Sequence, residues 1–252
     1  MNIQLIRHAT IWLEYAGVQF LVDPMLSEAG ANPPISNSTN DRRNPLVPLP
    51  IDKEKLLQPD VILVTHLHAD HWDTDAADAL PKSKPLYCQP GDAASISAQQ
   101  FSSVTEIEES ISYQGITISR TSGQHGTGEI GKRMGQVSGF VLQAEGEPTL
   151  YIAGDTIWCD EVKHALDTFQ PDVTVVNAGG AQFAVGDPIT MNAEDVIQVC
   201  RYAPNSKVVA VHMDTINHCL VTREDLADAL QIEGLLGQVL IPADGESVIA
   251  DK

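Results

Sequence analysis

The chain has 252 residues, of which 43% are hydrophobic and 19% charged, and its formal net charge is -19. Those proportions exclude a disordered chain, and the length is enough to bury a sizeable core. The acidic excess argues against non-specific nucleic-acid binding, which needs Lys and Arg on phosphates, and against an anionic membrane surface.

Cys88, Cys159, Cys200 and Cys219 are widely spaced without a Cys-x-x-Cys, so neither a zinc ribbon nor a disulfide scaffold is indicated. Met1-Asn2-Ile3-Gln4-Leu5-Ile6-Arg7 lacks the basic region and apolar core of a signal peptide, and no run reaches the length of a membrane span. A cytoplasmic protein with reduced thiols and no membrane insertion is expected.

Residues 3–6, 10–15 and 18–22 read as three short strands, the last two joined by the Ala16-Gly17 hairpin signal. His8 lies between the first two strands, where a lone histidine either faces a site or is a satisfied structural group. Asp23 follows the third strand and precedes Pro24, which halts regular structure. Residues 27–50 are rich in Asn, Ser and Pro, and their place ahead of the next strand predicts an active-site loop rather than a linker. Arg42 and Arg43 within it either meet an anionic substrate group or lie solvated. A short helix is expected over 51–58, with Asp52 at its N-cap.

The run Val61-Ile62-Leu63-Val64 reads as a buried strand. It leads into Thr65-His66-Leu67-His68-Ala69-Asp70-His71-Trp72-Asp73, where imidazoles and carboxylates are dense enough to suit a borderline cation such as Zn²⁺. In an extended segment His66 and His68 point the same way and can grip one ion together. After a turn, Asp70 and His71 face a neighbouring position. One segment thus starts two metal sites, and two metals need ligands from elsewhere.

A helix over 73–80 ended by Pro81, a strand at 86–88, a helix opening at Pro90-Gly91-Asp92, and strands at 104–107 and 116–120 are expected next. The last strand leads to His125 in Ser122-Gly123-Gln124-His125-Gly126. The glycines between Gly123 and Gly135 do not make a phosphate loop: no Gly-Lys-Ser/Thr ends the run and no helix pattern follows. They are expected to let the backbone pass close to a metal site or substrate.

Strands at 137–144 and 149–153 predict a hairpin ending at Gly154-Asp155-Thr156. Asp155 lies too far from the helix starting near Asp160 to cap it, and a carboxylate there can bridge two cations with one oxygen on each. A helix over 161–169 and a buried strand at 173–177 follow. The Gly179-Gly180 pair after that strand either brings N–H groups near an oxyanion or makes a turn. A helix over 192–202 carries Asn192 and Asp195 in capping-box spacing, and a strand at 207–211 ends at His212. A helix over 222–233 with Thr222 at its N-cap precedes closing strands at 239–241 and 247–249. No repeat or composition shift marks a boundary, so residues 1–252 read as a single α/β domain.

His66-x-His68-x-Asp70-His71 resembles the signature of the metallo-β-lactamase superfamily of metal-dependent hydrolases. His125, Asp155 and His212 follow in the family's order, Leu21-Val22-Asp23-Pro24 also fits, and the resemblance covers nearly the whole chain. It implies a four-layer αββα sandwich of two mixed β-sheets. It implies that His66, His68 and His125 hold one ion, that Asp70, His71 and His212 hold a second, and that Asp155 bridges them. Two divalent ions are therefore expected, zinc first, with manganese or iron able to replace it. A hydroxide between them would attack the substrate, and His212 and Asp70 belong to the catalytic centre. Asp70 would also orient that hydroxide or return a proton to the leaving group. Asp23 is implied to support the metal-binding loop; its other reading is a turn residue that ends a strand.

Met213-Asp214-Thr215-Ile216-Asn217-His218-Cys219 is similar to the L-ascorbate-6-phosphate lactonase group and to N-acylphosphatidylethanolamine-hydrolysing phospholipase D. The leading expectation is a lactonase-like hydrolase of an ester-type bond in a small molecule, with phosphodiester hydrolysis as the alternative. His218 either contacts substrate or donates a proton, or is structural. A redox di-iron protein is a different class; flavodiiron proteins share the fold but carry Glu where His68 stands and append a flavodoxin domain. A non-catalytic metal-binding sensor is the remaining class. No nucleic-acid partner is expected, and homo-oligomerisation is left open.

Overall fold

The computed structural model describes residues 1–249. The chain begins with β1 (Asn2–Arg7), β2 (Thr10–Tyr15), β3 (Val18–Val22) and β4 (Val61–Val64), followed by α1 (Thr74–Ala79), β5 (Leu86–Cys88) and α2 (Ala93–Ala98). Next come β6 (Val104–Glu106), β7 (Ser110–Tyr113), β8 (Ile116–Ser122), α3 (Gly128–Met134), β9 (Ser138–Gln143) and β10 (Leu150–Ile152). The remainder is α4 (Asp160–Phe169), β11 (Val173–Asn177), α5 (Ala193–Tyr202), β12 (Lys207–Val211), α6 (Arg223–Ile232), β13 (Val239–Leu240) and β14 (Ser247–Ile249).

The strands form two seven-stranded sheets. The first has the order β14-β1-β2-β3-β4-β5-β6, antiparallel as far as β3 and parallel from β3 to β6. The second, β13-β12-β11-β10-β9-β8-β7, has the same arrangement: parallel from β13 to β10 and antiparallel from β10 to β7.

Strand β4 shows why the sheets stack. Successive side chains of a strand point to opposite faces. Val61 and Leu63 enter the layer between the sheets, against Phe140, Leu142, Val175 and Val209 of the second sheet. Ile62 and Val64 face the other way, towards Ala76 of α1 and Ile96 of α2. Both faces are covered, so the strand needs an unbroken apolar run. On the far side, Tyr151, Val176 and Ala210 pack against Val162 of α4, Val199 of α5 and Leu226 of α6. The layers are therefore helix, sheet, sheet, helix, the αββα sandwich that the resemblance implied. Tyr15, fully buried between the sheets, donates its hydroxyl to the carbonyls of Leu142 and Pro148, both at 2.9 Å. No helix among the described residues is long and apolar enough to cross a membrane.

Helices α5 and α6 open on complete capping boxes, Asn192 with Asp195 and Thr222 with Asp225. Four local expectations are corrected. The 51–58 helix shrinks to a single 3₁₀ turn at Lys53–Leu56, although Asp52 does cap it. Helix α4 starts at Asp160, one residue before the expected 161, with Cys159 at its N-cap. Strand β7 has no apolar run to announce it, because it is a half-exposed sheet edge. Helix α3 follows the glycine run where no helix was expected; it carries two glycines in seven residues, buries none of its side chains, and offers only Ile130 and Met134 as an apolar pair, too little to read as a helix.

The 27–50 segment is tied down rather than loose. Arg7 is fully buried, and its guanidinium donates to the carbonyls of Val47, Met25 and Ser27 at 3.0, 3.0 and 2.9 Å. The Asn217 side chain accepts from the Ile35 N–H at 2.9 Å and from Asn44 Nδ2 at 2.8 Å, and donates to Ser38 Oγ at 2.6 Å. The segment is thereby strapped over the rim where β1, β3, β4, β8, β10, β11 and β12 end. Open α/β sheets commonly bind ligands at the carboxyl ends of their strands.

Candidate metal centre

Each predicted ligand leaves the end of a strand at that rim: His66 after β4, His125 after β8, Asp155 after β10 and His212 after β12. The structure brings all seven together in two groups that share a wall. His66, His68, His125 and Asp155 form one cage; His8, Asp70, His71 and His212 form the other.

In the first cage His66 Nε2 lies 3.0 Å from His68 Nδ1, and His125 Nε2 lies 3.3 Å from the same nitrogen. Asp155 Oδ2 completes it, 3.8 Å from His66 Nε2 and 3.5 Å from His125 Nε2. A tetrahedral zinc site with bonds of about 2.0–2.1 Å sets its ligand atoms roughly 3.3 Å apart, so this spacing fits a small divalent cation. In the second cage Asp155 Oδ1 stands 3.3 Å from His71 Nε2 and 3.3 Å from His212 Nε2, while those two nitrogens are themselves 3.3 Å apart. Asp70 Oδ2 lies 3.6 Å from His212 Nε2 and 4.0 Å from His71 Nε2.

The far nitrogens of the rings explain which atoms face inward. His125 Nδ1 donates to the Ile189 carbonyl at 2.7 Å, and His71 Nδ1 donates to Asp23 Oδ2 at 2.8 Å. A proton fixed on Nδ1 leaves the Nε2 lone pair for a cation. His66 Nδ1 sits 3.1 Å from Thr65 Oγ1, and His212 Nδ1 sits 3.5 Å from Cys219 Sγ. Asp23 does more than end a strand: its Oδ1 accepts the Thr65 N–H and its Oδ2 the Thr65 hydroxyl, each at 2.7 Å.

Charge states follow from burial and neighbours. Burial holds His66 well below the usual imidazole range and lowers His125 as well. For Asp155 burial acts upward but is outweighed by His212 and His71, which hold it well below the usual carboxylate range. Asp70 is held low likewise, with burial outweighed by hydrogen bonds to His212 and His8. Burial works downward on His71 but loses to Asp155 and Asp23, which hold its pKa well above the usual imidazole range, so this ring keeps a proton that a cation must displace. Neutral imidazoles beside ionised carboxylates are the forms that bind a cation.

His8, left open by the sequence, faces this site. Its Nε2 lies 3.1 Å from Asp70 Oδ2, its ring centroid is 3.6 Å from that of His212, and burial drives its pKa down to about 3. His218 is buried and reaches the chamber over the cages; burial lowers its pKa to about 4, so it is neutral near pH 7. The chamber has a volume of about 190 Å³ and is walled above the ligands by Ile35, Met134, Phe183 and His218. Among its described lining residues there is no Lys or Arg.

The arginines of the 27–50 segment do not reach the chamber. Arg43 spends its guanidinium on the carbonyls of Gly30 and Ala31, and Arg42 is exposed on the loop. After the Gly179-Gly180 pair the backbone is held internally: the Gly180 N–H bonds to the Met191 carbonyl and the Ala181 N–H to Thr190 Oγ1, so neither is offered to an oxyanion. Gly179 is there for close approach, since an added Cβ would stand 2.1 Å from the His212 carbonyl oxygen. Sequence reasoning missed Asn177, whose Nδ2 donates to Asp155 Oδ1 at 2.6 Å. The available signal was a polar residue closing an apolar run at the same rim.

A family model described as "Beta-lactamase superfamily domain" matches residues 19–213. The UPF0173 protein YddR of Bacillus subtilis is 39% identical over 251 residues, 98% of this chain and 99% of that protein. An isothiocyanate hydrolase from Delia radicum gut bacteria has a solved structure that superposes with a TM-score of 0.96 at 39% identity, covering 100% of both chains. A protein of Veillonella parvula described as a possible metal-dependent hydrolase superposes with a TM-score of 0.95 at 35% identity, covering 98% of each. With the two-sheet fold and its rim of histidines and aspartates, these matches establish that the chain belongs to the metallo-β-lactamase superfamily of metal-dependent hydrolases.

Proposed function

We propose that this chain is a dinuclear hydrolase that directs an ionised water at the electrophilic carbon of a small, uncharged substrate. The observation that carries this reading is Asp155, whose two oxygens each close a different cage. His66, His68 and His125 would hold one divalent cation and Asp70, His71 and His212 the other, with zinc expected and manganese or iron able to serve. When bound, such ions supply Lewis acidity and bring the pKa of water from 15.7 to about 7.

The chain's own residues orient the rest. Asp23, the Ile189 carbonyl and Cys219 hold the rings of His71, His125 and His212 in place. Asp70, 11% exposed and lining the chamber, would orient the attacking water or return its proton to the leaving group. His218 would contact the substrate as a neutral imidazole. No cationic side chain lines the described chamber to take a phosphate, which favours the ester-type, lactonase-like reading over a phosphodiesterase.

A second reading is favoured by the full-length similarity to the isothiocyanate hydrolase. There water would add to the central carbon of R–N=C=S. The carbon–nitrogen bond breaks, both protons of water end on nitrogen, and R–NH₂ and carbonyl sulfide leave.

Asp155→Asn tests the shared claim. The variant is expected to fold, by circular dichroism, to lose metal on elemental analysis, and to lose more activity than the roughly 10–100-fold typical of outer partners. A fully metallated, fully active Asp155→Asn protein would overturn the dinuclear reading. Release of carbonyl sulfide against opening of a lactone separates the two substrate classes.

A further inference from the structure

The chamber over the cages, about 190 Å³, is smaller than the roughly 300–1,000 Å³ of pockets that hold drug-sized ligands. It takes a reacting group and little more. It adjoins a groove of about 550 Å³, and the two share Met134 and Phe183. Ile130 and Val185 continue the groove's lining outward.

Helix α3 explains why the groove is there. A surface helix normally buries its apolar stripe in the core. This one buries no residue, and its two large apolar side chains, Ile130 and Met134, stand four residues apart on one face and both line the groove. The opposite wall is fastened to it. Gly186, at φ +109°, lets the chain run so close to α3 that an added Cβ would lie 2.3 Å from Ile130 Cδ1. Thr127 Oγ1 donates to Asp187 Oδ2 at 3.3 Å, and the Ala184 N–H donates to the Asn37 carbonyl of the 27–50 strap at 2.5 Å. Three segments are thus joined around one trough, apolar along Ile130, Met134, Phe183 and Val185 and polar along the Ser36-Asn37 side. Its only described cation is Arg133, an exposed residue.

We propose that this groove binds the apolar arm, an aryl or unbranched alkyl group, of the substrate whose electrophilic carbon occupies the chamber. Phe183 and Met134, at the junction, set which arms are accepted. The proposal rests on the hydrolase reading above and gives it a substrate class: a small neutral electrophile carrying a hydrophobic tail.

The test uses metal-replete protein and two homologous series, n-alkyl isothiocyanates and γ-alkyl lactones. For the wild type, kcat/KM in the series that is cleaved should rise roughly fourfold per added methylene until the groove is full. Ile130→Gln, and Val185→Asp at a rim position that is 81% exposed and tolerant of substitution, should flatten that slope. An independent arm measures binding of 4-phenylbutan-1-ol by saturation-transfer NMR, expected in the wild type and lost in both variants. If every homologue is cleaved at one rate, or the variants keep the wild-type slope, the groove proposal falls while the hydrolase reading stands. If no homologue is cleaved, the hydrolase reading fails, and alcohol binding decides the groove: loss in the variants supports it, and equal signals overturn it.

Discussion

Asp23 belongs to neither cage, yet it governs both. One carboxylate takes the Thr65 N–H and hydroxyl and the His71 ring, so the residue before His66 and a nitrogen ligand of the other cage hang from it. It does so from a left-handed backbone at φ 44°, as do His8 at 61° and His212 at 70°. Such conformations cost about 1–3 kcal/mol each and persist where surrounding contacts over-determine them. Asp23→Asn keeps the shape but removes the charge that orients His71. Metal affinity should fall roughly 10–100-fold, measured by competition with a chromophoric chelator; wild-type affinity would show that Asp23 is only a turn residue. Of the inward-facing residues, His66, His68, Asp70 and His71 were legible from their dense spacing, whereas His125, Asp155 and His212 were reached through the family resemblance. Their supports were not legible. The partner of His125 is a backbone carbonyl, which any residue supplies, and Cys219 and Asn177 are ordinary loop and strand-end residues until the fold sets them beside His212 and Asp155.

The elements were readable in proportion to how fully they are buried. Strand β4 is covered on both faces and reads as an unbroken apolar run; β11 and β12 are nearly so, with Thr174 inside β11 and an exposed Lys207 opening β12. Strand β7 and helix α3 bury little and carry only two apolar residues each, Ile111 and Tyr113 in one and Ile130 and Met134 in the other, too few to stand out, and the groove wall that α3 builds was missed for the same reason. Residues 27–50 were recognisable as a long loop by composition, but not their anchor. Asn217 anchors them with both ends of one amide, reaching Ile35, Ser38 and Asn44. Asn217→Ala strands those buried partners, at about 1–3 kcal/mol. The expected result is a melting temperature lower by about 2–4 °C per kcal/mol, together with faster proteolytic cleavage within 27–50. An unchanged cleavage rate would mean that Arg7, through Val47, Met25 and Ser27, and the backbone bonds of Leu46 to Thr215 and of Asn217 to Asn44 hold the strap without the Asn217 side-chain amide.

At the scale of the whole molecule, the candidate site is a clasp between the two sheets. The first sheet contributes His8, His66, His68, Asp70 and His71; the second contributes His125, Asp155 and His212. Cations held by both would tie the halves together as well as serve chemistry, and their charge would offset part of the -19 where two buried carboxylates meet. A ligand bound only by the folded state stabilises it by RT ln(1 + [L]/Kd), about 2.7 kcal/mol at a hundredfold excess over Kd. For a chain of this size that is roughly 5–10 °C in melting temperature. Chelation should therefore lower the melting temperature by that amount, and restored zinc should return it. Acidification towards pH 5 should act in the same direction, because protons compete for His71, whose proton affinity Asp155 and Asp23 raise. Asp155→Asn should begin at the lower temperature and respond to neither treatment. A wild-type melting curve that stays put while elemental analysis shows the metal gone would mean that the sheets are held by the Tyr15 bridge and the apolar layer alone, and that the ions contribute nothing to joining them.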